Sequence, residues 1–190
     1  CQTYNTATSY ALLAQLIRSL ADIRPEAEEE KNQLQLANMV QWVLTGSAAD
    51  SARQHREGIA LLGQVIGLDV ADPVIDSLDP ELRQRRLAAL LQAILAYKSQ
   101  QSPFVIVLED LHWADEASLS VLEQIIAGLE RRRVLLLAIF RPDWQTPWGH
   151  WAHARQLSLQ ELSAGEQLEI LQTLLKVREL PTVLPETILT

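Results

Sequence analysis

The chain has 190 residues, 48% of them apolar, and a formal net charge of −8. A globular chain of this length buries roughly 70% of its unfolded surface, so one core of ordinary size is expected and wholesale disorder is excluded. Only three of its sixteen basic residues are lysines, and with the acidic balance this argues against direct nucleic-acid binding through a large phosphate-backbone footprint.

Helix signals open the chain. "TSYALLAQLIRSLADI" places Leu12, Leu13, Leu16, Ile17 and Leu20 on one stripe, with Thr8 or Ser9 as candidate caps. "PEAEEEKNQLQLANMVQWVL" follows, with Pro25 and several acids in its first turn and Leu36, Met39, Val40 and Val43 at helical spacing. Residues 45–57, "TGSAADSARQHRE", are small and polar and read as a surface loop. "GIALLGQVIGL" reads as a short apolar helix. Asp79-Pro80 then opens a long helix, Asp as cap and Pro in the first turn, carrying Leu87, Leu90, Leu91, Ile94 and Leu95.

The period changes after Pro103. "FVIVL", 104–108, is a continuous apolar run that predicts a strand buried on both faces, as in a parallel sheet. Asp115 caps the next helix, whose inward residues are Leu119, Leu122, Ile125, Ile126 and Leu129. "VLLLAIF", 134–140, is a second buried strand. Strand, helix and strand form a βαβ unit, so the strands should be parallel, with Ile106 and Leu136 central and buried. The loop 141–154 is rich in Trp, Pro and His. "RQLSLQEL" predicts a third, weaker strand. Ser163 caps a last helix, with Glu166 at the capping-box position.

Cys1 is the sole cysteine, which fits a reducing, cytoplasmic setting. The longest apolar run is seven residues, Val134 to Phe140. A bilayer needs ~20, so no helical membrane span is expected. The start is polar and carries no signal-peptide pattern. It is not Met, and "PETILT" ends the sequence where a helical pattern begins; both ends read as cut from something longer.

Glu109 and Asp110 follow the first strand directly, and Arg141 follows the second. Ligands of open parallel sheets bind beyond the carboxyl ends of the strands. Two acids and an arginine on that rim suit a metal-bound triphosphate. Carboxylates suit Mg²⁺, a second acid can orient or deprotonate water, and an arginine can neutralise phosphoryl charge. The plainer reading is that acids after strands serve as caps and turn formers. His112 is expected to hydrogen-bond near the acids and Trp113 to pack the loop against the sheet. His150 and His153 lack the further ligands that zinc requires. No G-x-S-x-G, C-x-x-C or G-x-G-x-x-G occurs, which removes the hydrolase-elbow, redox and dinucleotide readings.

"VIVLEDLHWADEASLSVLEQI" resembles the Walker B segment of the signal-transduction ATPases of the STAND group, within the AAA+-like P-loop proteins. It is similar to the ATPase module that accompanies bacterial adenylate cyclases, some serine/threonine kinases and LuxR-type regulators. "LLLAIFRPDW" resembles the strand and sensor-like arginine that follow, which places Arg141 there. "LSLQELSAGEQLEILQTLL" resembles the last core strand and the start of a helical domain. The resemblance implies a partial three-layer α/β fold, with residues 1–160 in the ATPase core and 161–190 beginning a helical or winged-helix-like domain. It implies ATP and Mg²⁺ as cofactors, Glu109 and Asp110 at the metal, and Asp110 and Arg141 in catalysis. His112, Trp113 and Asp115 would support them, and other domains of a longer signalling or transcription-regulating protein would be partners.

Two departures qualify this. The family commonly has Asp where this chain has Glu109, which leaves open which acid meets the metal. No G-x-x-x-x-G-K-[ST] loop is present; Lys31, Lys98 and Lys176 are the only lysines and none follows a glycine. In the family that loop lies upstream, on a central strand between those expected here. The isolated chain is therefore expected to be inactive, the ATPase belonging to the intact protein. A nucleotide-free interaction scaffold that retains the fold is the alternative.

Overall fold

The computed structural model describes residues 9–24, 26–44 and 48–175. They divide into two units, one ending at Ala154 and one beginning at Arg155.

In the first unit, α1 (Ala11–Leu20) buries Leu12, Leu13, Leu16, Ile17 and Leu20, the stripe that its spacing predicts. Ser9 is not its cap. Thr8 lies outside the described residues, and the cap position is Tyr10, which offers no side-chain bond. α2 (Glu29–Gln41) buries Leu36, Met39 and Val40. Pro25, read as part of its first turn, lies outside the described residues.

The loop expected at 45–57 is for the most part helix. α3 runs from Ala48 to Ile66 and includes the short helix read at 58–68 as far as Ile66. Ala, Arg, Gln and Glu are strong helix formers, and polarity here marks an outer face rather than a loop. Glu57 pairs with Arg53 on its own helix and with Arg86 of the next long one. His55 Nε2 lies 3.0 Å from the Ala37 carbonyl oxygen of α2. Close approach of α2 and α3 requires Gly58, where a Cβ would stand 2.7 Å from Val40 Cγ1.

α4 (Pro73–Asp76) is a single turn capped by Asp72, whose carboxylate accepts from Val74 N and Ile75 N. α5 (Pro80–Gln101) starts as the Asp79-Pro80 signal predicts, with Leu82 N donating to Asp79. It buries Leu87, Leu91, Ile94 and Leu95.

β1 (Phe104–Leu108) and β2 (Val134–Ala138) pair in parallel, with Ile106 opposite Leu136. α6 (Glu116–Ala127) connects them and packs on α5, where Gln92 Nε2 donates to Gln124 O at 2.6 Å. Arg133 steadies the start of β2 by donating to the Ser99 and Gln100 carbonyls at the end of α5.

The expectation of burial on both sheet faces fails. Ile106 and Leu108 join the core, whereas Val105 and Val107 are 53% and 51% exposed. On β2 Leu135 and Leu137 are exposed as well, as is Ile139 just beyond it, and Leu136 is only half-buried. Strand side chains alternate between faces, and helices cover one face among the described residues.

In the second unit, the strand expected from "RQLSLQEL" does not form. Leu157 and Leu159 are 88% and 90% exposed. A strand exists only through ladder bonds to a neighbour, and an alternating pattern cannot supply one. α7 (Ala164–Leu175) begins as predicted. Ser163 N and Oγ donate to Glu166 Oε2 at 2.8 and 2.6 Å, and Glu166 N returns a bond to Ser163 Oγ at 3.4 Å.

Candidate site on the turn after β1

Leu108 is the last residue of β1 and is buried; Glu109 and Asp110 emerge from it exposed. The chain must then reverse so that Leu111 can enter the core, where it is fully buried. Asp110 makes the reversal by adopting the left-handed region, φ 51° and ψ 41°. Asp tolerates this backbone better than most residues. A single 3₁₀ turn, Leu111–Trp113, follows.

Backbone bonds fix this turn to the sheet. Ile139 N donates to Leu108 O at 2.8 Å, and Leu111 N donates to Ile139 O at 2.9 Å. Trp113 N donates to Asp110 O, and Ala114 N to Leu111 O. The ladder thus continues past both strands, and the acids leave the sheet on a tethered turn.

Arg141 is exposed, three residues beyond β2. Its guanidinium carbon lies 5.7 Å from the centre of the Trp113 ring, within cation–π range. Trp113 is half-buried, and its ring centre also lies 5.1 Å from that of His112. The arginine is therefore brought to the same turn as the acids.

His112 departs from expectation. Both of its ring nitrogens are buried, and neither has a hydrogen-bond partner among the described residues. Its ring lies against Trp113 instead of bonding near the carboxylates. Asp115 caps α6 as predicted, and it also accepts from Tyr10 N and Ala11 N at the start of α1. Nothing in the local sequence announces that second role. Further along, Trp144 packs edge-on against Phe140 and Trp148, and His150 and His153 contact the Trp151 ring.

The donor chemistry fits Mg²⁺ in a limited way. Two adjacent exposed carboxylates are hard oxygen donors, and Mg²⁺ commonly takes one or two of these with phosphates and waters. Among the described residues no group of three or more His, Cys, Asp or Glu side chains converges to hold a metal. Such a pair suits a metal that arrives with a phosphate ligand, not one caged by protein.

A strand–turn–helix–strand unit in parallel pairing defines an α/β protein, with its two acids on the rim where open parallel sheets bind ligands. The family model for the AAA ATPase domain matches residues 1–137, and the chain belongs to that family. The matched region includes the acidic turn and ends just before Arg141. The chain is 32% identical over 89 residues to an uncharacterized protein of Rhizobium meliloti (strain 1021). That alignment spans 46% of this chain and 9% of the relative. No solved structure matches the chain. Among the described residues, no helix is long and apolar enough to cross a membrane.

Proposed function

We propose that this chain is the Walker B part of a STAND-type ATP-dependent switch in a cytoplasmic signalling or transcription-regulating protein. Residues 1–160 belong to its three-layer core and residues 161–190 to an adjoining helical domain. One observation carries the reading: Glu109 and Asp110 stand exposed on the turn after β1, and Arg141 lies against Trp113 of that same turn. The family match across this turn supports it.

Glu109 and Asp110 would hold the metal of a Mg·ATP complex, whose charge neutralises the phosphates. Asp110 orients a water molecule or takes its proton. The Arg141 guanidinium meets the terminal phosphate oxygens. ATP binding and slow hydrolysis would then shift the longer protein between closed and open forms, through contacts with its other domains. The missing G-x-x-x-x-G-K-[ST] loop favours a second reading for the chain alone, a scaffold that keeps the fold without nucleotide.

Mn²⁺ with ATP, added to the isotope-labelled chain, tests the site. Without a phosphate cradle, affinity should be no tighter than about millimolar. Paramagnetic broadening should still centre on the amides of residues 109–111 and 141. Broadening centred on the acidic run Glu28–Glu30, with the turn unaffected, contradicts the assignment.

A further inference from the structure

Asp115 is engaged on two sides. On its own helix, Oδ1 accepts from Ser118 N at 2.8 Å and Oδ2 from Ser118 Oγ at 2.6 Å. The same oxygens accept from Tyr10 N at 2.9 Å and Ala11 N at 3.1 Å. Four bonds fill the capacity of an ionised carboxylate, which offers about four lone-pair sites. One side chain therefore closes two helix N-termini whose residues lie 105 positions apart.

α1 depends on this contact. Its cap residue, Tyr10, has φ 65° and makes no side-chain cap bond. The first amides of a helix have no partner within the helix, and here Asp115 supplies one from a distant segment.

Only Leu111 to Ala114 separate Asp115 from Asp110, and that short link is stiff. Leu111 is fully buried, and its amide is held by Ile139 O. Trp113 N and Ala114 N are bonded within the turn. Asp110 sits in the small left-handed well, φ 51°, and the bonds on either side of it hold it there. Moving Asp115 must therefore move the acids or break these bonds.

We propose that Asp115 is a positioning residue, a latch that holds the Glu109–Asp110 turn and the start of α1 as one mechanical unit. A displacement of the acids then shifts the entry to α1, and a pull on α1 shifts the acids, because such coupling is reciprocal. The latch goes beyond the nucleotide reading and is tested without nucleotide.

The test is amide hydrogen exchange on the full chain carrying Asp115→Ser. Ser is about as good an N-cap as Asp, so α6 keeps its cap. One hydroxyl cannot also serve the α1 amides. Tyr10 and Ala11 should lose protection by about tenfold, comparable to removal of a cap. Leu111 and Trp113 should lose protection with them, while Ser118 stays as in the wild type. Unchanged Tyr10 and Ala11 would overturn the latch. Loss confined to those two amides would overturn the coupling. If the variant does not fold, the wild-type chain decides. Its Tyr10, Ala11, Leu111 and Trp113 amides should exchange through one opening with one denaturant dependence, and separate openings would refute the proposal.

Discussion

Adjacent residues of β1 should respond oppositely to substitution. Ile106 is 7% exposed and Val107 51%. Ile106→Ala deletes three carbons from the core, at about 0.8 kcal/mol each for buried groups. The cavity adds to this, because the surrounding core relaxes only partly around it, giving about 3 kcal/mol in all. Val107→Thr keeps shape and β-branching and adds one hydroxyl. On an open face that hydroxyl stays hydrated, and the change should fall within about 0.5 kcal/mol. Urea unfolding of both variants, at equal denaturant dependence, measures the two values. Were the outer face covered, the hydroxyl would be buried without a partner and would cost about 1–3 kcal/mol. Such a loss at Val107, or a loss under about 1 kcal/mol at Ile106, would refute the one-faced sheet.

Two further outcomes follow from local geometry. Gly58→Ala brings a Cβ to 2.7 Å from Val40 Cγ1, and Val40 is fully buried; overpacking should cost about 1–3 kcal/mol by urea unfolding, and a neutral variant would mean that α2 and α3 lie further apart. The capping box of α7 should depend on pH. The Ser163 hydroxyl and amide, donating to Glu166, hold its carboxyl below the usual carboxylate value. A folded-state pKa that is lowered contributes stability above the unfolded value, and that contribution is lost as pH falls through the folded one. The Ser163 and Glu166 amide signals should therefore report a loosened box on acidification below the usual glutamate range, and Glu166→Gln should remove most of that pH response.

The parallel pair was legible because two apolar runs flank a segment of helical period, and only a crossover reconciles them. Asp79-Pro80 and Ser163 with Glu166 were legible because capping chemistry is local. Other features depend on what lies across the fold. Val105 and Val107 are as apolar as Ile106, so composition could not tell the bare face from the buried one. Residues 48–57 look like a loop by polarity, and their helix is stabilised by α2 and α5 through His55 and Glu57. Leu157 and Leu159 alternate like a strand, yet alternation says nothing about a partner. Of the candidate site, the acids, Trp113 and Arg141 were visible as a motif. The inward turn of His112 and the reach of Asp115 to α1 were not, because neither is written in neighbouring residues.

We propose that the turn after β1 carries out chemistry on a nucleotide. The most direct measurement is Mg·ATP turnover by the full-length protein that contains this chain, wild type against Asp110→Asn. The substitution keeps size and removes charge. Turnover should fall by about 10²-fold or more while ATP still binds, as expected when a water-orienting or metal-supporting carboxylate is lost. Arg141→Ala, assayed beside it, should lower turnover or weaken ATP binding more than ADP binding, according to whether the guanidinium meets the phosphate in the transition state or already in the ground state. Wild-type turnover and affinity in both variants would contradict the account, leaving Glu109 and Asp110 as turn formers at the end of a strand.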